Sequence, residues 1–249
     1  MILTSKNNPL VKETATLKEK KGRKSLNMFL VEGRKMALEC QKSGLSIDRV
    51  FYSEQYDGER LADLPSTVLS DSVFRYLSDE KTPQGVLCRV KLPALELVPP
   101  TGKCLFLDGI SDPGNMGAIL RTANAAGYRE IYLTDDCTDP YSPKSVRASM
   151  SGLFFVKLYS ASREKLLETF KDIPVLVADM HGENVFSFNA PKRYALVIGN
   201  EGNGVSKEVK AVSTNTVSIP MQGTQESLNA SVAAGIAMYL LSKKEFQTE

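Results

Sequence analysis

Strand-like and helix-like segments alternate through the second half of the chain, and this alternation most constrains the fold. The predicted strands there are CLFLD (104–108), REIYLT (129–134), FFVKLY (154–159), IPVLVAD (173–179), YALVIG (194–199) and TVSIP (216–220). The predicted helices are GAILRTANAAG (117–127), SPKSVRASM (142–150), SREKLLETFK (162–171), VSKEVKAV (205–212) and SLNASVAAGIAMYLLSKK (227–244). Such alternation favours an α/β fold with a mostly parallel sheet covered by helices on both faces.

A proline-rich stretch divides the chain into two predicted domains. We interpret residues 92–102 as a linker, because Pro93, Pro99 and Pro100 remove backbone donors that a helix or a central strand needs. Residues 1–98 predict a smaller α/β domain, and residues 103–249 predict the second domain. Within the smaller domain, FLVEG (29–33), DRVFYS (48–53) and GVLCRVKL (85–92) are predicted strands, RKMALECQKSG (34–44) is a predicted helix, and Asp71 is a candidate helix N-cap.

The composition is that of a soluble globular protein, with 42% hydrophobic and 24% charged residues. The longest apolar run, around residues 232–241, is too short to span a membrane, and the first residues contain no apolar signal core. We therefore expect a cytoplasmic protein without a membrane partner. The four scattered cysteines favour reduced buried thiols, and the single histidine argues against a zinc site, so we predict no metal.

Positive charge is concentrated near the N-terminus. Residues 1–42 contain ten Lys or Arg and four Asp or Glu, a local charge of +6 in a chain whose net charge is +2. The densest part, called the basic cluster below, consists of Lys18, Lys20, Lys21, Arg23 and Lys24. Such a cluster can neutralise phosphates of a nucleic acid, but a solvated helix end or loop has the same composition.

Three blocks carry the functional information: LDGISDPGNMGAILRTANAAG (107–127), YALVIGNEGNG (194–204) and SIPMQGTQESLNASVAAGIAMYLL (218–241). Each passes from a strand-like stretch into a polar turn and then towards a helix. Loops at the carboxyl ends of parallel strands commonly form binding sites, so the three turns predict one composite site. Asn115 and Ser227 are candidate helix caps, and the guanidinium of Arg121 suits a phosphate or a carboxylate.

Common enzyme templates do not match these blocks. Val205 stands where a Walker loop requires lysine, and GNEGNG differs from the GxGxxG dinucleotide fingerprint. The chain also contains no GxSxG nucleophile elbow. A nucleotide-binding enzyme that uses the glycine-rich turn for phosphates is therefore disfavoured, although the turn alone leaves it open.

Together and in this order, the three blocks resemble the signature motifs of the SpoU (TrmH) family of RNA ribose 2′-O-methyltransferases, within the SPOUT superfamily. The resemblance spans about residues 105–241. It implies a C-terminal α/β domain with a deep trefoil knot, S-adenosyl-L-methionine as cofactor, and a homodimer. The N-terminal part is more loosely similar to the family's substrate-binding domain, which resembles small ribosomal RNA-binding proteins. This similarity favours ribosomal RNA over transfer RNA and makes the basic cluster a candidate RNA contact.

The resemblance also implies roles for particular residues. The implied catalytic residues are Asn115, Arg121, Glu201, Ser227 and Asn229. The implied cofactor contacts are Ile198, Gly199, Asn200, Ile219, Met221 and Leu228.

The implied reaction is an in-line transfer of a methyl group to a ribose 2′-hydroxyl. A guanidinium is a poor base, so we expect Arg121 to clamp the target phosphate rather than remove the hydroxyl proton. Two alternatives stay open at this point: a transfer RNA 2′-O-methyltransferase, and a non-catalytic RNA-binding or ribosome-assembly factor on the same scaffold.

Overall fold

We describe a computed structural model of the chain, covering residues 2–246. Within that range the strands are β1 (Ile2–Leu3), β2 (Met28–Glu32), β3 (Ile47–Ser53), β4 (Ser66–Leu69), β5 (Val86–Lys91), β6 (Cys104–Asp108), β7 (Glu130–Thr134), β8 (Lys157–Ala161), β9 (Val175–Asn184), β10 (Ala195–Gly199) and β11 (Asn215–Ser218). The α-helices are α1 (Pro9–Thr16), α2 (Lys20–Leu26), α3 (Arg34–Lys42), α4 (Asp71–Leu77), α5 (Pro113–Ala125), α6 (Pro143–Ala148), α7 (Arg163–Thr169), α8 (Lys207–Ala211) and α9 (Ala230–Leu241). Two short 3-10 helices cover Gly152–Phe155 and Lys243–Phe246.

The chain forms two compact units. The first contains the residues up to Ala94 together with Asp139–Phe154, and the second contains Leu95–Thr138 and the chain from Phe155 onward. This division differs from the predicted single boundary between residues 98 and 103, because Asp139–Phe154 packs within the first unit. The Phe29 ring lies 4.9 Å from the Tyr141 ring and 6.5 Å from the Phe154 ring, measured between centroids.

The first unit is built on a mixed sheet of five strands in the order β1-β4-β3-β5-β2. Strand β5 runs antiparallel to its neighbours β2 and β3, whereas β4 runs parallel to β1 and β3. One hydrophobic core of this unit joins Phe51 and Leu87 of the sheet to Val11 of α1 and Phe74 of α4. Helices α1, α2 and β1 precede the first element that was predicted from the sequence.

The second unit contains a six-stranded sheet in the order β11-β9-β10-β6-β7-β8, and every pair of neighbours is parallel. On one face, Phe106 and Val197 pack with Leu166 of α7, with Phe170 directly after α7 and with Val209 of α8. Alternate residues of the same strands point to the opposite face, where α9 contacts β9 and β10. The predicted α/β class with a mostly parallel sheet is confirmed.

Four local predictions were wrong, three of them at helix N-caps. Ser70 occupies the N-cap of α4 instead of Asp71. Asp112 caps α5 instead of Asn115, because the Asp112 carboxylate accepts from the Asn115 backbone N–H at 2.8 Å. Asn229 caps α9 instead of Ser227, since its side chain accepts from the first backbone N–H groups of the helix.

The fourth error concerns the start of the strand predicted over residues 154–159. Gly152–Phe155 forms a 3-10 helix, and β8 begins only at Lys157. Left-handed backbone at Met150 (φ 46°) and Ser151 (φ 76°) turns the chain before this segment. Burial of the Phe154 ring near Phe29 then takes precedence over its strand propensity.

No helix within residues 2–246 combines the length and the apolar character needed to cross a membrane. The four cysteines, Cys40, Cys88, Cys104 and Cys137, are buried free thiols.

Candidate functional site

The site forms where neighbouring parallel strands end. Asp108 at the end of β6 pairs in register with Gly199 at the end of β10, so the loops that follow these two strands start side by side. The β6 loop leads into α5, and the β10 loop contains the glycine-rich turn. This edge of the sheet is where ligands usually bind in α/β folds.

Glu201 ties the first two loops together. Its Oε2 accepts from the Ser111 backbone N–H at 3.1 Å and from the Ser111 hydroxyl at 2.7 Å. Its Oε1 accepts from the Asp112 backbone N–H at 3.2 Å and from the Asn115 Nδ2 at 2.9 Å. A carboxylate offers about four acceptor positions, so this set of donors uses them all.

The same contacts fix the charge of Glu201. Burial alone would raise the pKa of this carboxyl, but the hydrogen bonds from Asn115 and Ser111 outweigh burial and lower the pKa to about 2. The group is therefore ionised at neutral pH, and its donors hold that state. An anion this weakly basic suits a brace between loops and not a proton acceptor.

Asn115 extends the bridge to the third block. Its Oδ1 accepts from the Asn229 Nδ2 at 3.0 Å, while its own Nδ2 donates to Glu201. The Asn229 Oδ1 in turn accepts from the backbone N–H of Ser231 at 2.9 Å and from the Ser231 hydroxyl at 2.6 Å, at the start of α9. One chain of hydrogen bonds, called the Glu201–Asn115–Asn229 bridge below, thus joins all three predicted motifs.

The glycine-rich turn is closed by Asn200. Its Oδ1 accepts from the backbone N–H groups of Gly202 and Asn203, and its Nδ2 donates to the Gly109 carbonyl at 2.7 Å. A Cβ on Gly199 would lie 2.3 Å from the Gly204 carbonyl carbon, a distance that side chains do not tolerate. The turn therefore folds back so closely on β10 that position 199 requires glycine.

A second polar cluster beneath the turn was missed by the sequence analysis. The Asp108 carboxylate is buried, and it accepts from the Arg163 Nε at 2.8 Å and from the Ser206 backbone N–H at 2.7 Å. Arg163 also pairs with Asp136 at 2.8 Å, and hydrogen bonds from Thr134 and Arg163 lower the pKa of Asp136. An aspartate directly at the end of a buried strand pattern was the signal that could have revealed this cluster.

The predicted cofactor residues fall at the end of β10, directly after it, and in the segment between β11 and α9. Ile198 is buried at the end of β10, Gly199, Asn200 and Ile219 are half-buried, and the side chains of Met221 and Leu228 are 36% and 37% exposed. Large exposed apolar side chains of this kind suit an apolar ligand surface such as an adenine ring. Within residues 2–246 no group of three or more His, Cys, Asp or Glu side chains is arranged to hold a metal ion.

Arg121 and Ser227 stand outside the bridge. Both are exposed, and neither makes a hydrogen bond or an ion pair within the described part of the chain. Arg121 follows Asn115 by six residues on α5, which places it about 9 Å along the helix axis and about 240° around it. Arg121 and Asn115 of one chain therefore point to different sides of α5.

The structure separates the basic cluster of the first unit into two groups. Arg23 is buried, donates to the carbonyls of Leu17 and Lys18, and pairs with Asp139 at 2.6 Å. Lys18 donates to two carbonyls at the end of α4. Lys20, Lys21 and Lys24 are exposed on α2. Arg23 and Lys18 thus have structural partners, whereas the three other lysines face solvent.

Both parts of the chain match known protein families. The family model described as SpoU rRNA Methylase family matches residues 102–239, and the model described as MRM3-like substrate binding domain matches residues 8–88. An uncharacterized tRNA/rRNA methyltransferase from Synechocystis is 31% identical, with 98% of this chain and 94% of that protein covered. The 23S rRNA (guanosine(2553)-2′-O)-methyltransferase RlmP of Bacillus subtilis is 28% identical, with 96% of this chain and 98% of that protein covered.

A solved structure agrees with these sequence matches. The AdoMet-bound rRNA methyltransferase from Sinorhizobium meliloti is 26% identical and superposes with a TM-score of 0.88, covering 100% of this chain and 99% of that one. The three motifs, their convergence on one edge of a parallel sheet and the match over residues 102–239 agree. This chain belongs to the SpoU rRNA methylase family.

Proposed function

We propose that this protein transfers the methyl group of S-adenosyl-L-methionine to a ribose 2′-hydroxyl of ribosomal RNA. The observation that carries the proposal is the Glu201–Asn115–Asn229 bridge, which assembles three separate motifs into one site. The Bacillus subtilis relative is a 23S rRNA 2′-O-methyltransferase, and the Sinorhizobium meliloti structure is an rRNA methyltransferase with AdoMet bound. Both support the same substrate class and the same cofactor.

The predicted cofactor residues have a chemistry that fits this cofactor. Met221 and Leu228 offer exposed apolar surface, and Gly204 leaves open space in the turn, since a Cβ there would meet nothing within 4 Å. Ile198, Asn200 and Ile219 complete the set of residues that would hold it. When bound, S-adenosyl-L-methionine supplies an electrophilic methyl group on a sulfonium.

The residues of the chain contribute position more than proton transfer. Glu201 braces the loops, and Asn115 and Asn229 hold fixed amide groups beside the site. Alignment of the reacting atoms can supply roughly 7–11 kcal/mol of the barrier reduction when the geometry is near ideal. Ser227, exposed in the loop before α9, is placed next to the ribose in this proposal.

Arg121 binds the target phosphate through its planar fork of donors. Because it points away from the bridge of its own chain, we propose that it serves the site of a second copy. Its neighbours Ala118 and Thr122 line an open apolar groove between α5 and α9, which also includes the half-exposed Val232 and Tyr239. A homodimer that covers this groove brings Arg121 to the edge of the interface.

The proposal includes the trefoil knot of the superfamily. After α9 the chain returns to the segment that follows β9, where Lys243 donates to the Phe186 carbonyl. Earlier, the Val185 backbone N–H donates to the Ser218 carbonyl at the end of β11. These contacts support a segment from α9 to Lys243 that is held against the preceding loops. We also propose a cytoplasmic location, which agrees with a ribosomal RNA substrate.

The decisive experiment supplies the purified protein with radiolabelled S-adenosyl-L-methionine and either 23S rRNA or total transfer RNA. Labelling of 23S rRNA at a ribose 2′-oxygen supports the proposal. Labelling of transfer RNA alone would establish the transfer RNA alternative. Binding of RNA without methyl transfer would establish the non-catalytic alternative.

A further inference from the structure

Tyr76, at the end of α4, is an aromatic side chain flanked by two lysines. Its residue surface is 42% exposed, and the Lys6 Nζ lies 5.3 Å from the centroid of its ring. The Lys18 Nζ donates to the backbone carbonyls of Tyr76 and Ser78, at 2.8 Å each. One lysine thus holds the backbone at Tyr76, and another stands over its ring.

The helix α2, which carries three exposed lysines, begins two residues after Lys18. Lys20, Lys21 and Lys24 make no hydrogen bond or ion pair among the residues that the structure describes. Lys20 and Lys24 repel each other at i,i+4, and α2 has no acidic residue in its first turn. Lys20 and Lys21 therefore do not stabilise the start of their helix, whereas Lys24 lies in its last turn. The charge of all three exposed lysines is available to a ligand.

The helix that carries these lysines, α2, packs closely against α1. A Cβ on Gly22 of α2 would lie only 2.0 Å from the Thr16 carbonyl oxygen at the end of α1, so the two helices are in close contact. The Arg23 Nη1 donates to the carbonyls of Leu17 and Lys18, at 2.8 Å each, and fixes the turn between the helices. The buried Arg23 thus positions the exposed lysines of the basic cluster.

We propose that the surface formed by Lys6, Tyr76 and the three α2 lysines binds an unpaired segment of RNA. One base stacks on the Tyr76 ring, and the lysines contact the flanking phosphates. This inference rests on the proposed function and names the part of the substrate that the first unit recognises. A base inside a duplex does not offer its face to a side chain, so the surface selects single-stranded RNA.

Direct binding measurements on the full chain test the stacking contact. The probe is a fluorescent single-stranded RNA of mixed sequence, with the same RNA as a duplex for comparison. Stacking of one base contributes about 1–3 kcal/mol, so Tyr76→Ala should weaken single-strand binding about 5- to 150-fold. Tyr76→Phe keeps the ring and should retain the affinity of the parent protein. The duplex should bind more weakly and should not respond to Tyr76→Ala.

The salt dependence of binding tests the lysines. Replacing Lys20, Lys21 and Lys24 together by Gln removes three phosphate contacts and should reduce the slope of log K against log salt by about 2. The matched control replaces Lys91, Lys157 and Lys192 by Gln, which removes the same charge from other exposed positions. The control should leave the slope unchanged.

Thermal unfolding and S-adenosyl-L-methionine binding of each variant show that the fold and the second unit are intact. Unchanged single-strand affinity in Tyr76→Ala, or an equal loss of slope in both lysine triples, overturns the assignment of this surface. A parent protein that methylates RNA while these variants bind normally overturns only this inference. A parent protein that neither binds nor methylates RNA overturns the proposed function itself.

Discussion

At the scale of single residues, the site depends on side chains that donate and accept at once. Asn115 is the central case, because its Nδ2 donates to Glu201 while its Oδ1 accepts from Asn229. Of the amide and carboxylate side chains of this size, only the amide can both donate and accept. A carboxylate at the same position could only accept, and it would face the Glu201 anion.

Asn115→Asp should therefore lower methyl transfer. Loss of a hydrogen bond to a charged group costs about 1.5–3 kcal/mol, which corresponds to a drop in turnover of about 10- to 150-fold. The measurement is the initial rate of methyl transfer to 23S rRNA. Asn124→Asp is the control on the same helix, because Asn124 accepts from Arg129 and a carboxylate can do the same. Normal turnover in Asn115→Asp would show that the bridge is not required.

Glu201 predicts a dependence of stability on pH. Its pKa in the folded protein is lowered to about 2 from an ordinary value of 4.5, so its contribution is complete above pH 4.5 and is lost as the pH falls towards 2. Glu201→Gln should destabilise the protein by on the order of 1 kcal/mol at neutral pH, because the group is largely exposed. Thermal unfolding from pH 7 to pH 3 should show the difference between parent and variant shrinking below pH 4.5. A constant difference would contradict the role of the charge.

At the scale of elements, the loops after β6 and β10 are held by close packing as well as by hydrogen bonds. Gly199 ends β10 against the backbone of Gly204 and Val205. Beneath the turn, Asp108 joins Arg163 to the backbone N–H of Ser206. The loop that presents Glu201 is thus fixed at both of its ends.

Gly199→Ala should displace this loop and weaken the binding of S-adenosyl-L-methionine. The added Cβ would lie 2.3 Å from backbone atoms that belong to the loop itself. Overpacking of this kind costs about 1–3 kcal/mol, or a loss of affinity of about 5- to 150-fold, measured by isothermal titration calorimetry. Gly102→Ala is the control, since its Cβ would meet nothing within 4 Å. Equal affinities in the two variants would refute the argument.

Much of the structure of individual helices, strands and loops could be predicted from the sequence, because periodicity and turn residues report local structure. The strands of the sheet followed from the alternation of segments, whereas the grouping of Asn115, Glu201 and Asn229 was implied by the resemblance of the three blocks to the SpoU family. The Asp108–Arg163 pair did not, since 55 residues separate the partners and Arg163 lies outside the three blocks. The structure of Gly152–Phe155 was likewise beyond local reasoning, because it depends on the burial of Phe154 near Phe29.

At the scale of the whole molecule, the proposed homodimer forms by covering the open groove between α5 and α9. Val232, which is 49% exposed on α9, lies on that face. Val232→Arg should leave the monomer folded and convert the protein from dimer to monomer, as measured by light scattering after size exclusion. Val212→Arg is a control with the same 49% exposure outside the groove, and it should remain dimeric. A monomeric parent protein would contradict the proposed homodimer.

Sharing of the site between copies has its own test. Arg121→Ala and Asn229→Ala should each abolish most methyl transfer, because each removes one part of every composite site. Mixed dimers of the two variants contain one site that draws Arg121 and Asn229 from intact copies. Co-purified mixed dimers should therefore regain part of the activity that both homodimers lack. If the mixed dimers are as inactive as the homodimers, Arg121 acts within its own chain.

The placement of Asp139–Phe154 in the first unit has a practical consequence for protein engineering. Cutting the chain at the proline-rich stretch would strip Asp139 of its partner Arg23 and would bare the Phe154 ring that Phe29 covers. A truncated C-terminal half would therefore contain Asp139–Phe154 without the residues that pack against it. It should precipitate more readily than the intact protein. Exchange of N-terminal domains between homologues should succeed only when these sixteen residues are exchanged with them.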